Sequence, residues 1–168
     1  RTGYDGIIIV GKSKSPVYLW INEEGAYLRD ASHLRGKDTY ETDKMLKRET
    51  TEKAVVVSIG PAGEKLVKMA VILCDGRHGR ASGRGGLGAV MGSKNLKAIV
   101  VYGTKKPNIA YPEKLRELIK ELVPRIKERM KFRREYGTAG EVIPNAEIGD
   151  MPVKNWSMGK WEEEKIRK

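Results

Sequence analysis

The chain has 168 residues, a formal net charge of +11 at pH 7 and 39% hydrophobic residues. This length fits one compact domain, or one domain with part of a second, and the apolar content excludes a wholly disordered chain. No apolar run is long enough to predict a membrane-spanning helix. The single cysteine, Cys74, excludes an internal disulfide and a zinc or iron–sulfur site built from this chain's own cysteines. It favours a reducing, cytoplasmic location.

The amino-acid usage carries a bias. Glutamine is absent, whereas Lys and Glu are abundant. Because this bias is typical of proteins from hot environments, we expect a thermophilic source. The chain begins at Arg1 and not at a methionine, so we expect a cut or processed start.

The first 106 residues are predicted to be rich in strands. Nearly continuous, β-branched apolar runs indicate buried strands at residues 4–10, 17–21, 54–59 and 98–102. Residues 26–29 are predicted to return as a hairpin after a turn at residues 22–25.

Two further segments of this region carry helix signals. Residues 38–49 are predicted to form a polar helix, with Asp38 or Thr39 as its cap. Residues 66–74 are apolar, and their periodicity does not decide between a strand and a buried helix.

The character of the chain changes after Lys106. Apolar residues follow helical spacing over residues 112–134, and Pro124 inside this stretch is predicted to kink or split the helix. The predicted fold class is therefore α+β: a β-rich region over residues 1–106, followed by a region over residues 107–168 that begins as helix. The apolar residues after position 136 predict a surface that needs a partner or further chain.

Positive charge and glycine coincide in one segment. Residues 75–106 contain seven Lys or Arg and one acidic residue, and eight glycines fall between positions 76 and 103. Glycine lets a backbone approach a ligand closely, and Arg binds anionic oxygens. The segment therefore predicts an anionic ligand, either a phosphorylated cofactor or nucleic acid.

Two phosphate-binding motifs fit this segment poorly. A Walker A loop is excluded because Ser93 precedes Lys94, the reverse of the required order. Gly83, Gly85 and Gly88 satisfy the G-x-G-x-x-G spacing, but the first acidic residue downstream is Glu113, beyond a predicted strand. A dinucleotide site is therefore not favoured.

A simpler interpretation starts from the arginines. Arg80 and Arg84 flank the small residues 81–83, and each guanidinium can bind phosphate oxygens in a bidentate manner. Residues 87–95 are predicted to begin a helix whose N-terminus is directed at the same anion. A flexible basic loop is the alternative, but it would contain fewer apolar residues than positions 87–91 do.

Residues 83–98, GRGGLGAVMGSKNLKA, resemble the tungsten-dependent aldehyde ferredoxin oxidoreductase family. The similarity continues, in the same order, over most of the chain. Its further landmarks are TGYDG at 2–6, PVY at 16–18, DASH at 30–33, SIGPAGE at 58–64, YGTA at 136–139 and PVKN at 152–155.

The resemblance implies that residues 1–106 are an incomplete, β-rich domain that binds a pterin cofactor, and that residues 107–168 begin an all-α domain. It also implies a redox enzyme that oxidises aldehydes to carboxylic acids. Its cofactor would be a tungsten (or molybdenum) atom held by two pterins whose phosphates are bridged by magnesium. Electrons would leave through a [4Fe-4S] cluster to ferredoxin. The cluster's cysteines are expected outside this chain, so we expect a second subunit or a remaining part of the enzyme as partner. A homodimer is a further expectation.

The family's Arg-Ala-x-Gly-Arg pterin-binding motif matches Arg80, Ala81, Gly83 and Arg84. By this resemblance the two arginines contact anionic groups of the cofactor, and the backbone of Ala81 and Gly83 approaches it. The carbonyl of Ala81 is then a candidate magnesium ligand. No catalytic residue is expected within this chain.

Two other functions stay open: a basic nucleic-acid-binding module, and a catalytically inactive fragment of the family. Nucleic acid is not favoured because residues 75–98 contain no aromatic side chain for base stacking. Cys74 and His78 are spaced like two metal ligands, but without a second pair we expect a structural thiol and a loop histidine. The basic run 125–134 is expected to be a solvated helix face, with an acidic partner such as ferredoxin as the alternative.

Overall fold

The structure is a computed structural model that describes residues 1–76 and 79–160. The chain divides into two compact units, with the boundary between Asn108 and Ile109. The strands are β1 (Val17–Ile21), β2 (Ala26–Asp30), β3 (Val55–Ser58), β4 (Ile72–Cys74), β5 (Arg80–Ser82) and β6 (Leu96–Val101). The α-helices are α1 (Thr39–Glu49), α2 (Pro61–Glu64), α3 (Leu87–Ser93), α4 (Pro112–Arg129), α5 (Lys131–Tyr136) and α6 (Val142–Ile148). Short 3-10 helices span Ser32–Leu34 and Gly137–Glu141.

The strands form one mixed sheet in the order β2-β1-β6-β3-β4-β5. Strands β1 and β6 are parallel, and the other neighbouring pairs are antiparallel. The predicted α+β class and the predicted β-rich N-terminal part are thereby confirmed. The hairpin also forms as predicted, with Val17 opposite Asp30 and Ile21 opposite Ala26.

The two faces of the sheet carry separate apolar clusters. Tyr18 and Trp20 of β1 belong to the cluster that contains Leu46 of α1. Leu19 and Ile21, which alternate with them, belong to the cluster that contains Met91 of α3. Side chains alternate between the faces of a strand, so β1 and its neighbour β6 are covered on both faces. This explains why their sequences are nearly continuous apolar runs.

Helix α1 begins where the sequence predicts. The carboxylate of Asp38 accepts a hydrogen bond from the backbone N–H of Glu41 at 2.8 Å, and the side chain of Glu41 accepts one from the backbone N–H of Asp38 at 3.4 Å. These reciprocal bonds form a capping box. Asp38 is therefore the cap residue, and Leu46 anchors the helix in the core with no exposed surface.

The strand predicted at residues 4–10 is wrong. The structure shows no strand there, and Ile8 and Val10 are 92% and 88% exposed. The described sheet ends at strands β2 and β5, and residues 4–10 pair with neither of them. An apolar, β-branched run reports a preference for burial, but a strand also needs a neighbour with free backbone groups.

Residues 66–74, for which strand and helix were both open, form a strand only at their end. Leu66 and Met69 are 51% and 84% exposed, and β4 begins at Ile72. Leu66 has a φ of 60°, a left-handed conformation that interrupts both a helix and a strand. Leu66, Val67 and Met69 therefore lie in an exposed loop before β4, whereas Ala70 is buried.

The described part of the second unit, which begins at Ile109, is helical. Pro124 lies inside α4, which continues to Arg129, so of the two predicted outcomes the structure excludes a split at Pro124. One proline removes a single backbone donor, and the interruption comes later, at Met130 between α4 and α5. In the described part of the chain, no helix has both the length and the apolar character needed to cross a membrane.

Candidate cofactor-binding site

Strand β5 carries Arg80 and Ala81 at the edge of the sheet. Among the described residues it pairs with one strand only, antiparallel β4, with Leu73 opposite Ala81 and Cys74 opposite Arg80. All three residues of β5 are exposed. The free side of an edge strand presents backbone N–H and C=O groups without a sheet partner. Strand β5 therefore offers both backbone groups and the side chain of Arg80 to a ligand.

Two glycines turn the chain from β5 into α3. Gly85 and Gly86 have φ angles of 74° and 66°, in the left-handed region that side chains disfavour. Gly86 is also the N-cap residue of α3, and a Cβ atom there would collide with the carbonyl oxygen of Lys68. The path of this loop therefore depends on glycine at both positions.

Helix α3 is held by direct contact between backbones. The N–H of Gly88 donates to the carbonyl oxygen of Ala70 at 3.0 Å. A Cβ atom at Gly88 would lie 2.5 Å from the carbonyl oxygen of Val71, and one at Gly92 would collide with the carbonyl oxygen of Gly63. Helix α3 forms as the sequence predicts, and its glycines fix it, and the loop before it, against residues 63–71. The predicted role of its N-terminus toward an anion stays a prediction.

The end of β5, the loop after it and the start of α3 line an open depression of about 620 Å³. Its lining residues are Ala81, Ser82, Gly83, Arg84 and Leu87. Three of the four residues predicted to bind a cofactor thus lie together. The fourth, Arg80, lies one residue before this lining, on the same exposed strand.

Gly83 differs from the other glycines of the segment. Its φ is not in the left-handed region, and a Cβ atom there would meet only Cγ1 of Val71, at 4.0 Å. The described fold therefore does not require glycine at position 83. Because Gly83 lines the depression, the missing side chain instead leaves room for a ligand to approach the backbone.

The arginines of this site have no carboxylate partner in the described residues. Neither Arg80 nor Arg84 takes part in an ion pair there, and both are exposed. Unpaired guanidinium groups beside accessible backbone form a suitable environment for phosphate or another oxyanion. The residues present therefore fit the anionic part of a phosphorylated cofactor.

A metal ion bound by side chains is not supported at this site. Within residues 1–76 and 79–160, no three His, Cys, Asp or Glu side chains lie close enough to share a metal ion. Burial raises the pKa of the Cys74 thiol, with a further increase from Asp75 and an opposing effect of Arg80. A protonated thiol is a poor metal ligand, which agrees with a structural cysteine. His78 lies outside the described residues.

One notable residue was missed by sequence reasoning. Lys97 of β6 is only 2% exposed, and its Nζ donates to Oε1 of Glu64 at 2.5 Å and to the carbonyl oxygen of Lys37 at 2.7 Å. The available signal was a lysine within an otherwise apolar strand, since such side chains are almost never fully buried without partners.

Comparisons with known proteins agree with this architecture. A family model described as aldehyde ferredoxin oxidoreductase, N-terminal domain, matches residues 1–103. The tungsten-containing aldehyde ferredoxin oxidoreductase of Pyrococcus furiosus is 47% identical over 161 residues, which cover 94% of this chain and 26% of that protein. The corresponding protein of Thermococcus kodakarensis is 43% identical over 164 residues, 95% of this chain and 27% of its own.

Two other relatives carry different names. A Pyrococcus furiosus protein named aliphatic sulfonate oxidoreductase, WOR-like subunit, is 37% identical over 179 residues, covering 98% of this chain and 28% of that protein. A solved structure, the active-site complex BamBC of benzoyl coenzyme A reductase with 1,5-dienoyl-CoA, is similar with a TM-score of 0.72 and 46% identity. The similarity covers 77% of this chain and 20% of that one.

The chain matches only part of each longer relative, whereas the family model matches most of the chain. The chain spans about a quarter of the length of the curated relatives it matches. The family model, in contrast, covers more than half of the chain and includes all six strands and residues 80–84. The chain therefore belongs to the aldehyde ferredoxin oxidoreductase family and contains a match to its N-terminal domain.

Proposed function

We propose that residues 80–84 bind the anionic part of a pterin cofactor in a tungsten (or molybdenum) oxidoreductase that oxidises aldehydes to carboxylic acids. The observation that carries the proposal is the exposed edge strand and loop, where two unpaired arginines lie beside a depression lined by Ala81 and Gly83. Membership of an oxidoreductase family and relatives named as tungsten-containing enzymes support the choice of cofactor.

The chain's own residues would bind and orient the cofactor. Arg80 and Arg84 would neutralise phosphate charge and fix its position through bidentate hydrogen bonds. The backbone of Ala81 and Gly83 would contact the cofactor directly, and the carbonyl of Ala81 would serve as a ligand of a magnesium ion bound with the cofactor, which would neutralise phosphate charge. When bound, the metal–pterin centre supplies the redox chemistry, and the protein supplies binding and electrostatics.

The remaining parts of the reaction would lie outside this chain. A [4Fe-4S] cluster needs several thiolates, and this sequence contains one cysteine. The cluster ligands, the aldehyde pocket and the ferredoxin contact would therefore come from the rest of the enzyme or from a second subunit. This division agrees with a chain that spans about a quarter of its relatives.

In a second candidate function, residues 80–84 bind the same cofactor, but the enzyme acts on a different substrate. The similarity to a benzoyl coenzyme A reductase structure, at 46% identity, favours an oxidoreductase of this family that acts on a substrate other than an aldehyde. Assays with aldehydes on the natively purified protein, using a viologen dye as electron acceptor, separate the two. The nucleic-acid alternative predicts DNA binding that weakens steeply with salt.

The experiment that tests the proposal measures pterin and tungsten in the natively purified protein and in the Arg80→Gln/Arg84→Gln variant. Lys44→Gln/Arg48→Gln is the matched control, because it removes the same charge from exposed positions of α1. We expect the variant to lose most of its pterin and tungsten and the control to retain them. Equal pterin content in all three proteins would contradict the proposed role of residues 80–84.

A further inference from the structure

A second concave site lies at the other end of α3 from the depression at residues 81–87. It is a cavity of about 470 Å³, within the size range of small-molecule sites. Four basic residues line it, Lys14, Arg35, Lys65 and Lys97, together with one acidic residue, Glu64. The lining therefore carries a formal charge of +3, and none of these residues belongs to the site at residues 80–84.

Lys97 is held rigidly at the wall of this cavity. Its Nζ is bonded to Oε1 of Glu64 and to the carbonyl oxygen of Lys37. An ammonium group has three N–H donors, so in the described residues one donor of Lys97 has no assigned acceptor. A buried, oriented ammonium with a remaining donor can bind an anion without the entropy loss of ordering a flexible lysine.

Glu64 does not cancel the positive charge of the cavity. Its Oε1 accepts from Lys97 and, at 3.2 Å, from the backbone N–H of Gly36, and its Oε2 accepts from the same N–H at 2.9 Å. The carboxylate is thus engaged in orienting Lys97 and the loop at Gly36. In the described part of the chain, none of Lys14, Arg35 and Lys65 forms an ion pair.

The remaining wall of the cavity is apolar. Pro16, Ile59 and Leu96 line it beside the basic residues. A structural role explains the pair of Lys97 and Glu64, but it does not explain three further cations around the same cavity. Like charges gathered in one concavity repel each other and are stabilised when an anion binds among them.

We propose that this cavity binds a small organic anion, with a carboxylate or phosphate group held by Lys97, Arg35 and Lys65 and an apolar body against Pro16 and Leu96. The inference goes beyond the proposed function, because it rests on residues that the pterin site does not use.

The test is calorimetric titration of the natively purified protein with phenyl phosphate, benzoate and inorganic phosphate as separate probes. The variant is Arg35→Gln/Lys65→Gln, which changes two exposed side chains and avoids the buried Lys97. We expect it to bind the tighter organic probe about tenfold more weakly. Tighter binding of phenyl phosphate would identify a phosphate group, and tighter binding of benzoate a carboxylate.

Two control variants separate this cavity from general charge and from the pterin site. Lys44→Gln/Arg48→Gln removes the same charge from α1, and Arg80→Gln/Arg84→Gln removes it from the pterin site. We expect both controls to bind the probe within about twofold of the unchanged protein. No measurable binding of either organic probe, equal weakening in the α1 control, or a loss confined to the Arg80/Arg84 variant would overturn the proposal.

Discussion

Strand β6 lies in the middle of the sheet with four of its six residues buried, whereas β5 is the last strand and all three of its residues are exposed. Strand β6 contacts neighbours on both sides, parallel β1 and antiparallel β3. In the described sheet, strand β5 has one neighbour. Neither Arg80 of this strand nor Arg84 in the loop after it has an ion-pair partner in the described residues. The buried residues are therefore concentrated at the centre of the sheet, and the candidate binding groups lie at its edge.

Helix α3 connects these two regions, since it starts after the loop at residues 83–86 and ends just before β6. Its glycines contact the backbone of residues 63–71. The backbone contacts between α3 and residues 63–71 therefore hold the exposed loop before α3 in place. Binding groups on rigid supports keep their geometry better than groups on free loops.

The largest expected effect comes from breaking that contact. The substitution Gly92→Ala places a Cβ atom against the carbonyl oxygen of Gly63 and should lower the free energy of unfolding by about 2–4 kcal/mol. In an unhindered helix the same change would be stabilising. Urea denaturation measures the effect. Gly6→Ala, which meets nothing within 4 Å, should leave stability nearly unchanged, and equal stability of the two variants would refute the close packing.

The next prediction concerns the buried lysine of β6. Replacing Lys97 with Met removes the ammonium that neutralises Glu64 and should destabilise the protein by about 2–3 kcal/mol. Lys94→Met is the control, because Lys94 is more exposed and, within the described part of the chain, its Nζ makes a single hydrogen bond, to the carbonyl oxygen of Gly11 at 3.2 Å. Its effect should stay below about 1 kcal/mol. Comparable thermal and urea midpoints for both variants would show that the Lys97–Glu64 pair is not important for stability.

The centre and the edge of the sheet can be compared directly by truncation. Val100→Ala in β6, where Val100 has no exposed surface, should cost about 2 kcal/mol of stability. Ser82→Ala in β5 should change stability by no more than about 0.5 kcal/mol. Chemical denaturation of both variants provides the comparison, and a Ser82→Ala effect as large as that of Val100→Ala would argue against an exposed, weakly packed edge.

Removing the N-terminal cap of α1 should have a smaller effect on the free energy of unfolding. Asp38→Ala removes the side-chain acceptor for the backbone N–H of Glu41 and should destabilise the protein by about 1 kcal/mol. Asp38→Asn keeps an acceptor at this position and should lose only part of that. Thermal unfolding of both variants measures the difference, and an Ala variant as stable as the Asn variant would count against the capping box.

The smallest effect is on the reactivity of Cys74. Burial raises the pKa of its thiol, and Arg80 lowers that pKa by favouring the thiolate. The pH profile of iodoacetamide alkylation should therefore lie above that of a free cysteine, and Arg80→Gln should shift it further upward. The folded state favours the protonated thiol, so this group's contribution to stability is lost as pH rises above the unfolded pKa. A downward shift in the variant would contradict the contact between Arg80 and Cys74.

The sequence predicted the elements whose signals are local. The hairpin follows from two apolar runs around a turn, and α1 follows from Asp38 with Glu41 three residues later. Glycine and positive charge coincide around Arg80 and Arg84, and the resemblance to the family assigned its Arg-Ala-x-Gly-Arg motif to residues 80–84. The structure brings three of the four motif residues around one depression, and their binding of a cofactor stays a prediction.

Three features were wrong, left open or missed: the strand at residues 4–10, the assignment of residues 66–74, and the cavity around Lys97. Each depends on structure that the local sequence pattern does not contain. Whether residues 4–10 pair depends on a free sheet edge beside them, and where β4 begins depends on the left-handed turn at Leu66. The cavity around Lys97 is lined by residues from five separate stretches, at positions 14 and 16, 35 and 36, 59, 64 and 65, and 92 and 95–97, which no single stretch of sequence brings together. The periodicity of a segment does not show how much free energy that segment gains from tertiary contacts.

The most direct test of the account is diffraction from crystals of the natively purified protein, with anomalous data at a tungsten absorption edge. We predict pterin phosphate oxygens within hydrogen-bond distance of the guanidinium groups of Arg80 and Arg84, with the carbonyl of Ala81 facing the same group. Pterin phosphates bound elsewhere, with solvent beside residues 80–84, would contradict the central claim that this edge of the sheet holds the cofactor.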